Sequence, residues 1–285
     1  MKGSRPGVML AARLLWSNRR SRVGLILLAV FVFVALFAPL VSPYAPTDDS
    51  FAPSSGPSAE HPLGTTNLGQ DVLAQLLYGT RVSLGIGVLA ASLSTLLAVV
   101  VGMLMGYVGG VPEHALGFVT NLALVIPALP LMIVLAAYVD GLSFMLLVLV
   151  ITSWAFGARV IRAQTISLRA RDFVLSAQFS GESSARIMFR EILPNMTSLV
   201  AATFLLTATY VVLAEVGLEF IGLGDKNTIS WGTMLYWAQN GGGGALGGLW
   251  AWLLAPGLCI ALLATAFSLI NFGVDALSNP RLREK

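Results

Sequence analysis

Six runs of predominantly apolar residues, each long enough to cross a lipid bilayer, occupy nearly half of this chain. A spanning helix needs about 20 such residues, because the hydrocarbon layer is roughly 30 Å thick and a helix rises about 1.5 Å per residue. The runs are Val23 to Val41, about Val82 to Tyr107, about Ala115 to Val139, about Leu142 to Ala158, Met196 to about Ala214, and about Leu249 to Val274. Lipid offers no hydrogen bonds, so every backbone amide in these runs must be paired within the protein, and the runs predict helices. Pro127 and Pro130 fall in the third run. Each removes a backbone donor and crowds the preceding turn, so both are expected to kink it. The expected fold is all-α: a polytopic membrane protein with six transmembrane helices.

Composition agrees with lipid as the solvent. Charged residues make up 11% of the 285 residues, against about a quarter in soluble domains, and the mean hydropathy is +0.81. A single cysteine, Cys259, excludes an internal disulfide framework. The first run follows Arg19, Arg20 and Arg22 and could be read as a secretory leader. It is longer than the about 7 to 15 apolar residues of such a leader and no clear small-residue cleavage site follows, so an uncleaved span is the expectation.

Charge distribution orients the spans. With a cytoplasmic N-terminus, six crossings return the C-terminus to the same side, and the cytoplasmic segments hold Lys2, Arg5, Arg13, Arg19, Arg20, Arg22, Arg159, Arg162, Arg169, Arg171, Arg186, Arg190, Arg281, Arg283 and Lys285. That is fifteen of the seventeen basic residues, leaving only Arg81 and Lys226 outside, as the positive-inside rule requires. The expected organisation is a cytoplasmic segment 1–22, a first span 23–41, an external segment 42–81, and a five-span core 82–285 containing a cytoplasmic loop 159–195.

Several chemistries lack their residues. The lysines are Lys2, Lys226 and Lys285, none preceded by glycine, so no phosphate-binding GxxxxGK[ST] loop exists. There is no GxSxG elbow, and the two histidines, His61 and His114, fall on opposite sides of the membrane in this topology, against a catalytic dyad or a zinc cluster. The chain is expected to be non-catalytic, with no metal and no cofactor of its own. Glu215 and Glu219 stand four residues apart on one helical face near the outer end of span five. They read as solvated or interfacial carboxylates, with an ion site as the alternative.

A multispan chain with no nucleotide loop needs an outside energy source to pump anything. The polar stretch FVLSAQFSGESSARIMFREILPN, residues 173–195, lies between spans four and five. It reads as two short helices meeting near Gly181, the second carrying a Glu182, Arg186, Arg190 stripe at four-residue spacing and stopped by Pro194. Two readings fit these residues. One is an interfacial helix with arginines near lipid phosphates; the other is a docking helix for a cytoplasmic partner.

The stretch also carries Ser176-Ala177, then Gly181, then Leu193-Pro194-Asn195. In this frame the chain resembles the inner-membrane permease subunits of ATP-binding cassette importers of the dipeptide and oligopeptide type. That family has a Glu-Ala-Ala loop before its fifth span; Leu175 stands here in place of the glutamate and Glu191 where a histidine is common. HPLGTTNLGQDVLAQLLYGTRVSLGIG (61–87), FIGLGDKNTISWGTML (220–235) and the terminal NPRLRE are similar to further blocks of that family. The resemblance implies a type I importer permease in a bacterial or archaeal cell membrane. It would pair with a second, homologous permease, with two ATPase subunits that bind ATP and magnesium, and with an external solute-binding protein, in contact with lipid and not nucleic acid.

The resemblance implies ATPase coupling through Ser176, Ala177, Gly181, Glu182, Arg186, Ile187, Arg190, Pro194 and Asn195. The candidates for the translocation path are Pro127, Pro130, Trp231 and Trp237. Short peptides are the expected solute. Oligosaccharides are the alternative, because SWGTMLYWAQN with Trp250 and Trp252 resembles that branch and indole faces stack on sugar rings, although such tryptophans also form interfacial belts. A stand-alone carrier or channel is the more distant reading, and a membrane enzyme lacks any nucleophile and base pair.

Overall fold

A computed structural model of the chain describes residues 15–138, 141–241 and 250–278. Lys2, Arg5, Arg13, Asp140, the glycines 242–244 and the whole segment 279–285 lie outside the described residues.

Ten α-helices are described below. The first, α1 (Arg19–Val41), is capped by the Asn18 side chain, which accepts from the amides of Arg20 and Ser21. Next come α2 (Val72–Tyr107), α3 (Gly110–Val125), α4 (Ala128–Ala136) and α5 (Leu142–Arg169). Two short pieces follow, α6 (Asp172–Phe179) and α7 (Ser184–Arg186). The chain then forms α8 (Thr197–Phe220), α9 (Trp231–Asn240) and α10 (Trp250–Ser278). Helices α1, α2, α5, α8 and α10 are each long and apolar enough to cross a bilayer, and α3 with α4, bent by 85° at their junction, make a sixth crossing if taken as one span.

The central helix is α2, whose apolar window is the most buried of the five. It packs along α5 over the longest contact, and against α8; α10 bridges α8 and α1. Two glycines one turn apart, Gly102 and Gly106, form the α2–α5 contact. A Cβ on Gly102 would come 2.6 Å from the Ala158 carbonyl oxygen, and one on Gly106 would come 2.6 Å from Thr165 Cβ. Apolar tails of lipid give helices no hydrophobic reason to associate, so close backbone approach through small residues supplies the attraction instead.

Three sequence expectations change. Pro130 does not kink the third span: the break falls at Ile126-Pro127, and Pro130 sits in the first turn of α4, where its missing N–H would have had no partner in any case. Helix α2 starts ten residues before Val82, so the boundary at 81/82 falls inside a continuous helix. Its 36 residues extend about 54 Å, longer than the roughly 30 Å hydrocarbon layer. Helix α5 likewise runs eleven residues past Ala158, so the loop expected at 159–195 begins as helix.

The start of α2 is fixed by a small polar knot. Asp71, fully buried, accepts from the Ala74 amide at 2.6 Å as N-cap and pairs with His61 Nδ1 at 2.8 Å. Tyr44, Phe51 and His61 stack around it.

Candidate functional site

The segment after α5 is built from two rigid pieces and one joint. Helix α6 opens with Asp172 in its first turn, favourable at the positive end of the helix dipole. It ends in a left-handed C-cap: the Glu182 amide donates to the Ala177 carbonyl at 3.1 Å, the Gly181 amide to the Gln178 carbonyl at 3.0 Å, and Gly181 adopts φ +78°. Ser183 then caps the second piece, accepting from the Arg186 amide at 3.4 Å.

The second piece is not plain α-helix. After α7 the chain widens into a π-helical stretch, Ile187–Ile192, and tightens into a 3₁₀ turn, Leu193–Asn195, that contains Pro194. At 3.6 residues per turn, side chains five apart diverge by about 140°. The wider π turn, with its i to i+5 bonds, brings them onto one side. Ile187, Met188 and Ile192 are accordingly all buried, together with Val174 and Met196, against Val99, Met103 and Tyr107 of α2 and Ile161 and Leu168 of α5. Gln178 Nε2 adds a bond to the Tyr107 hydroxyl at 3.2 Å, and Asn195 Nδ2 donates to the Glu191 carbonyl at 2.6 Å.

Of the coupling candidates, Ser176, Gly181, Arg186, Arg190 and Asn195 are exposed, and Ala177, Glu182 and Pro194 are half-buried. Ile187 is the exception: at 1% exposure it anchors the segment to α2 and α5 and offers no surface to a partner. Sequence reasoning missed Phe179, 91% exposed at the end of α6, and Phe189, 52% exposed.

A second feature is a cavity of about 490 Å³ beside the Pro127 break, lined by α5 and α8 residues including Thr152, Ser153, Thr203, Thr207 and Tyr210. The lining is mainly apolar, and the Thr152, Ser153 and Thr203 hydroxyls donate to carbonyls of their own helices. Pro127 lines this cavity; Pro130 is exposed on α4 outside its lining. Trp237 lines a different, smaller cavity at the opposite end from the 172–195 segment. Trp231 does not line an opening: it is fully buried, edge-on to Phe31 at 5.6 Å.

Glu215 and Glu219 are the main correction. Both are buried, at 0% and 2% exposure, not solvated. Ser83 of α2 donates to Glu215 Oε1 at 3.3 Å, and Ser230, the N-cap of α9, donates to Glu219 Oε2. Ser83 also accepts from the Trp231 amide at 3.1 Å, and Ser230 from the Thr233 amide at 3.0 Å. A Cβ on Gly232 would lie 2.7 Å from Glu219 Cβ, so only glycine lets α9 press onto α8 here. The carboxylates therefore tie α8, α2 and α9 together. Replacing Ser230 with alanine removes both the cap and the donor to Glu219. Losing the cap costs about 0.5–2 kcal/mol, and one hydrogen bond to the buried Glu219 is lost with it. A clear drop in the thermal midpoint of the detergent-purified protein is the expected result, and an unchanged midpoint would dismiss the tie.

Among the described residues, no group of three or more His, Cys, Asp or Glu is placed to hold a metal ion.

The model of the binding-protein-dependent transport system inner membrane component matches residues 98–284. The chain belongs to this family. Residues 9–57 match the N-terminal TM domain of oligopeptide transport permease C. The permease is 30% identical over 272 residues to the oligopeptide transport system permease protein OppC of Bacillus subtilis, covering 94% of this chain and 88% of the relative. It is 32% identical over 276 residues to the dipeptide transport system permease protein DppC of the same organism, with 96% and 85% covered. With the OppC of Mycobacterium tuberculosis, strain H37Rv, it shares 33% identity over 255 residues, 87% of each chain. The matched family region begins inside α2 and runs through α10, and so includes the two-piece segment, the Pro127 break and both glutamates of the tie, but not Ser83. The permease is a multi-pass inner-membrane protein.

Proposed function

We propose that this permease is the membrane subunit of an ATP-driven importer of short peptides. It forms half of the path with a second, homologous permease, and residues 172–195 take up the motion of a separate ATPase. The observation that carries the coupling role is the jointed segment: two rigid pieces meet at Gly181, anchored by buried side chains to α2 and α5, and present Phe179 and Phe189 to solvent. Aromatic side chains, phenylalanine included, are enriched at protein interfaces. The arginine-rich end, with Arg19, Arg20, Arg22, Arg169, Arg171, Arg186 and Arg190, faces the cytoplasm by the positive-inside rule. There the segment meets two ATPase subunits, which bind ATP and magnesium, while an external binding protein delivers solute to the other face. The largely apolar cavity at the Pro127 break is this chain's contribution to the path. The peptide assignment is supported by the relatives, an oligopeptide and a dipeptide permease.

The test is uptake by the reconstituted complex, with its ATPases and binding protein, of a panel of short peptides and cello-oligosaccharides. Peptide uptake that stops when ATP hydrolysis is blocked is expected. Uptake of the sugars alone replaces the solute, and uptake that continues on an ion gradient without ATP replaces the whole reading with a carrier.

A further inference from the structure

At the end opposite the coupling segment, a cavity of about 240 Å³ lies between the 42–71 segment, the 226–229 turn, α9 and α10. Its lining is polar but nearly uncharged. Side-chain amides come from Asn67, Gln70, Gln75 and Asn227, and two indoles from Trp237 and Trp252. Among the described residues Lys226 is the one charged residue in the lining, and no carboxylate lines it.

Three observations make this more than a crevice between loops. Lys226 makes no ion pair with any carboxylate among the described residues; its Nζ rests over the Tyr236 ring, 5.0 Å from the centroid. The neighbouring Asp225 is occupied in its own turn, accepting from the Thr228 hydroxyl at 2.8 Å and the Asn227 amide at 3.0 Å. Trp252 is buried at 2% exposure, and its indole N–H has no acceptor. A buried donor of this kind is normally satisfied; the indole N–H of Trp231, which does not line the cavity, is unpaired as well. Gln75 Nε2 already donates to Gln70 Oε1 at 2.7 Å, which holds the two amides in place across the wall.

A ligand that matches this lining carries one negative charge, accepts hydrogen bonds beside it, and brings peptide-like groups for the amides. The volume lies below the about 300–1,000 Å³ of pockets that enclose a drug-sized molecule, so it takes the end of a ligand. Resting on the peptide reading above, we propose that this cavity is an entry site for the C-terminal carboxylate end of the incoming peptide. Lys226 pairs with the carboxylate, the amides of Asn67 and Gln70 bond the last peptide groups, and the Trp237 face covers the terminal side chain.

The test uses the whole complex in lipid nanodiscs without its binding protein, titrated with trialanine, with trialanine amide and with cellobiose, and read by intrinsic tryptophan fluorescence. Trialanine is expected to bind about tenfold tighter than its amide, the effect of one charge-assisted contact of about 1.4 kcal/mol; Lys226→Gln should remove that difference, and cellobiose should give no saturable signal. Lys226 lies on an exposed turn, so the variant keeps the fold. Equal affinity for acid and amide overturns the site, as does a Lys226→Gln variant that binds trialanine normally. If Lys226→Gln instead weakens only docking of the binding protein, the lysine serves a protein carboxylate and the site is also overturned. Peptide uptake by the complete transporter separates the two levels: a complex that imports trialanine yet fails these titrations refutes the site alone, whereas one that imports no peptide refutes the functional reading beneath it.

Discussion

Replacing Gly181 with valine is expected to leave membrane insertion and subunit assembly intact and to cut ATP-driven uptake by about tenfold or more, while the partner ATPase continues to hydrolyse ATP. The reason is local. Gly181 holds φ +78° at the C-cap of α6, a conformation that costs a side-chain-bearing residue about 1–2 kcal/mol, and more when it is β-branched. A factor of ten corresponds to about 1.4 kcal/mol, so the penalty is large enough to disfavour the bend between α6 and the second piece. No atom lies within 4 Å of where a Cβ would be placed, and the penalty is purely conformational. That gives an ordering to check. Asparagine tolerates the left-handed region and should behave almost as glycine does, alanine should be intermediate, and valine should be the most damaging. Uptake and ATPase rates measured together for the three variants decide the matter. If asparagine and valine are equally harmful, contact with the partner matters at this position and the backbone joint does not.

The spans were legible in the sequence because an apolar run of about 20 residues is the length that a helix needs to cross the bilayer. The ends of the helices were not. Val72 to Arg81 opens α2 with Gln75 and Arg81 among its apolar residues, and such a mixture lowers hydropathy without disfavouring helix; its sign in the sequence was the cap, Asp71, rather than the apolar run. Helix α9 was similarly hidden inside an apparent outer loop, although Ser230 and Thr233, three apart, form a reciprocal cap there. The joint at Gly181 could be read because a turn glycine is a local signal. Burial of Glu215 and Glu219 could not, since the donor to Glu215 is 132 residues away in α2. The π stretch was also invisible: Ile187 and Ile192 are five apart, about 140° around an α-helix, and only their shared contact with α2 and α5 reveals why the turn widens. Ile187 was consequently placed with the partner-facing residues when its side chain is an anchor.

Leucine at Gly106 is expected to be the most destabilising single change considered, and to disable coupling from a distance. A Cβ at this position would lie 2.6 Å from Thr165 Cβ and 2.9 Å from the Arg162 carbonyl oxygen; at Gly102 it would lie 2.6 Å from the Ala158 carbonyl oxygen and 2.8 Å from Ile161 Cβ. Backbone atoms cannot rotate away as a side-chain tip can, so α2 and α5 must separate. Overpacking a core typically costs about 1–3 kcal/mol, and here the obstruction includes main chain on the longest helix contact of the protein. The same contact holds the floor on which Ile187, Met188 and Ile192 sit, because Met103 and Tyr107 flank Gly106 on α2, and Ile161 and Leu168 flank Thr165 on α5. Separation of the two helices therefore loosens the coupling segment as well as the fold. The control is Gly85 on the same helix, where a Cβ would meet nothing within 4 Å; alanine there should be neutral or stabilising by up to about 1 kcal/mol, through helix propensity alone. Thermal midpoints in detergent, with ATP-driven uptake in vesicles, should place Gly106→Leu far below Gly85→Ala on both axes. A Gly106→Leu protein as stable as Gly85→Ala would mean that α2 and α5 can slide apart at no cost, and that the platform beneath the coupling segment is not rigid enough to transmit an ATPase's motion.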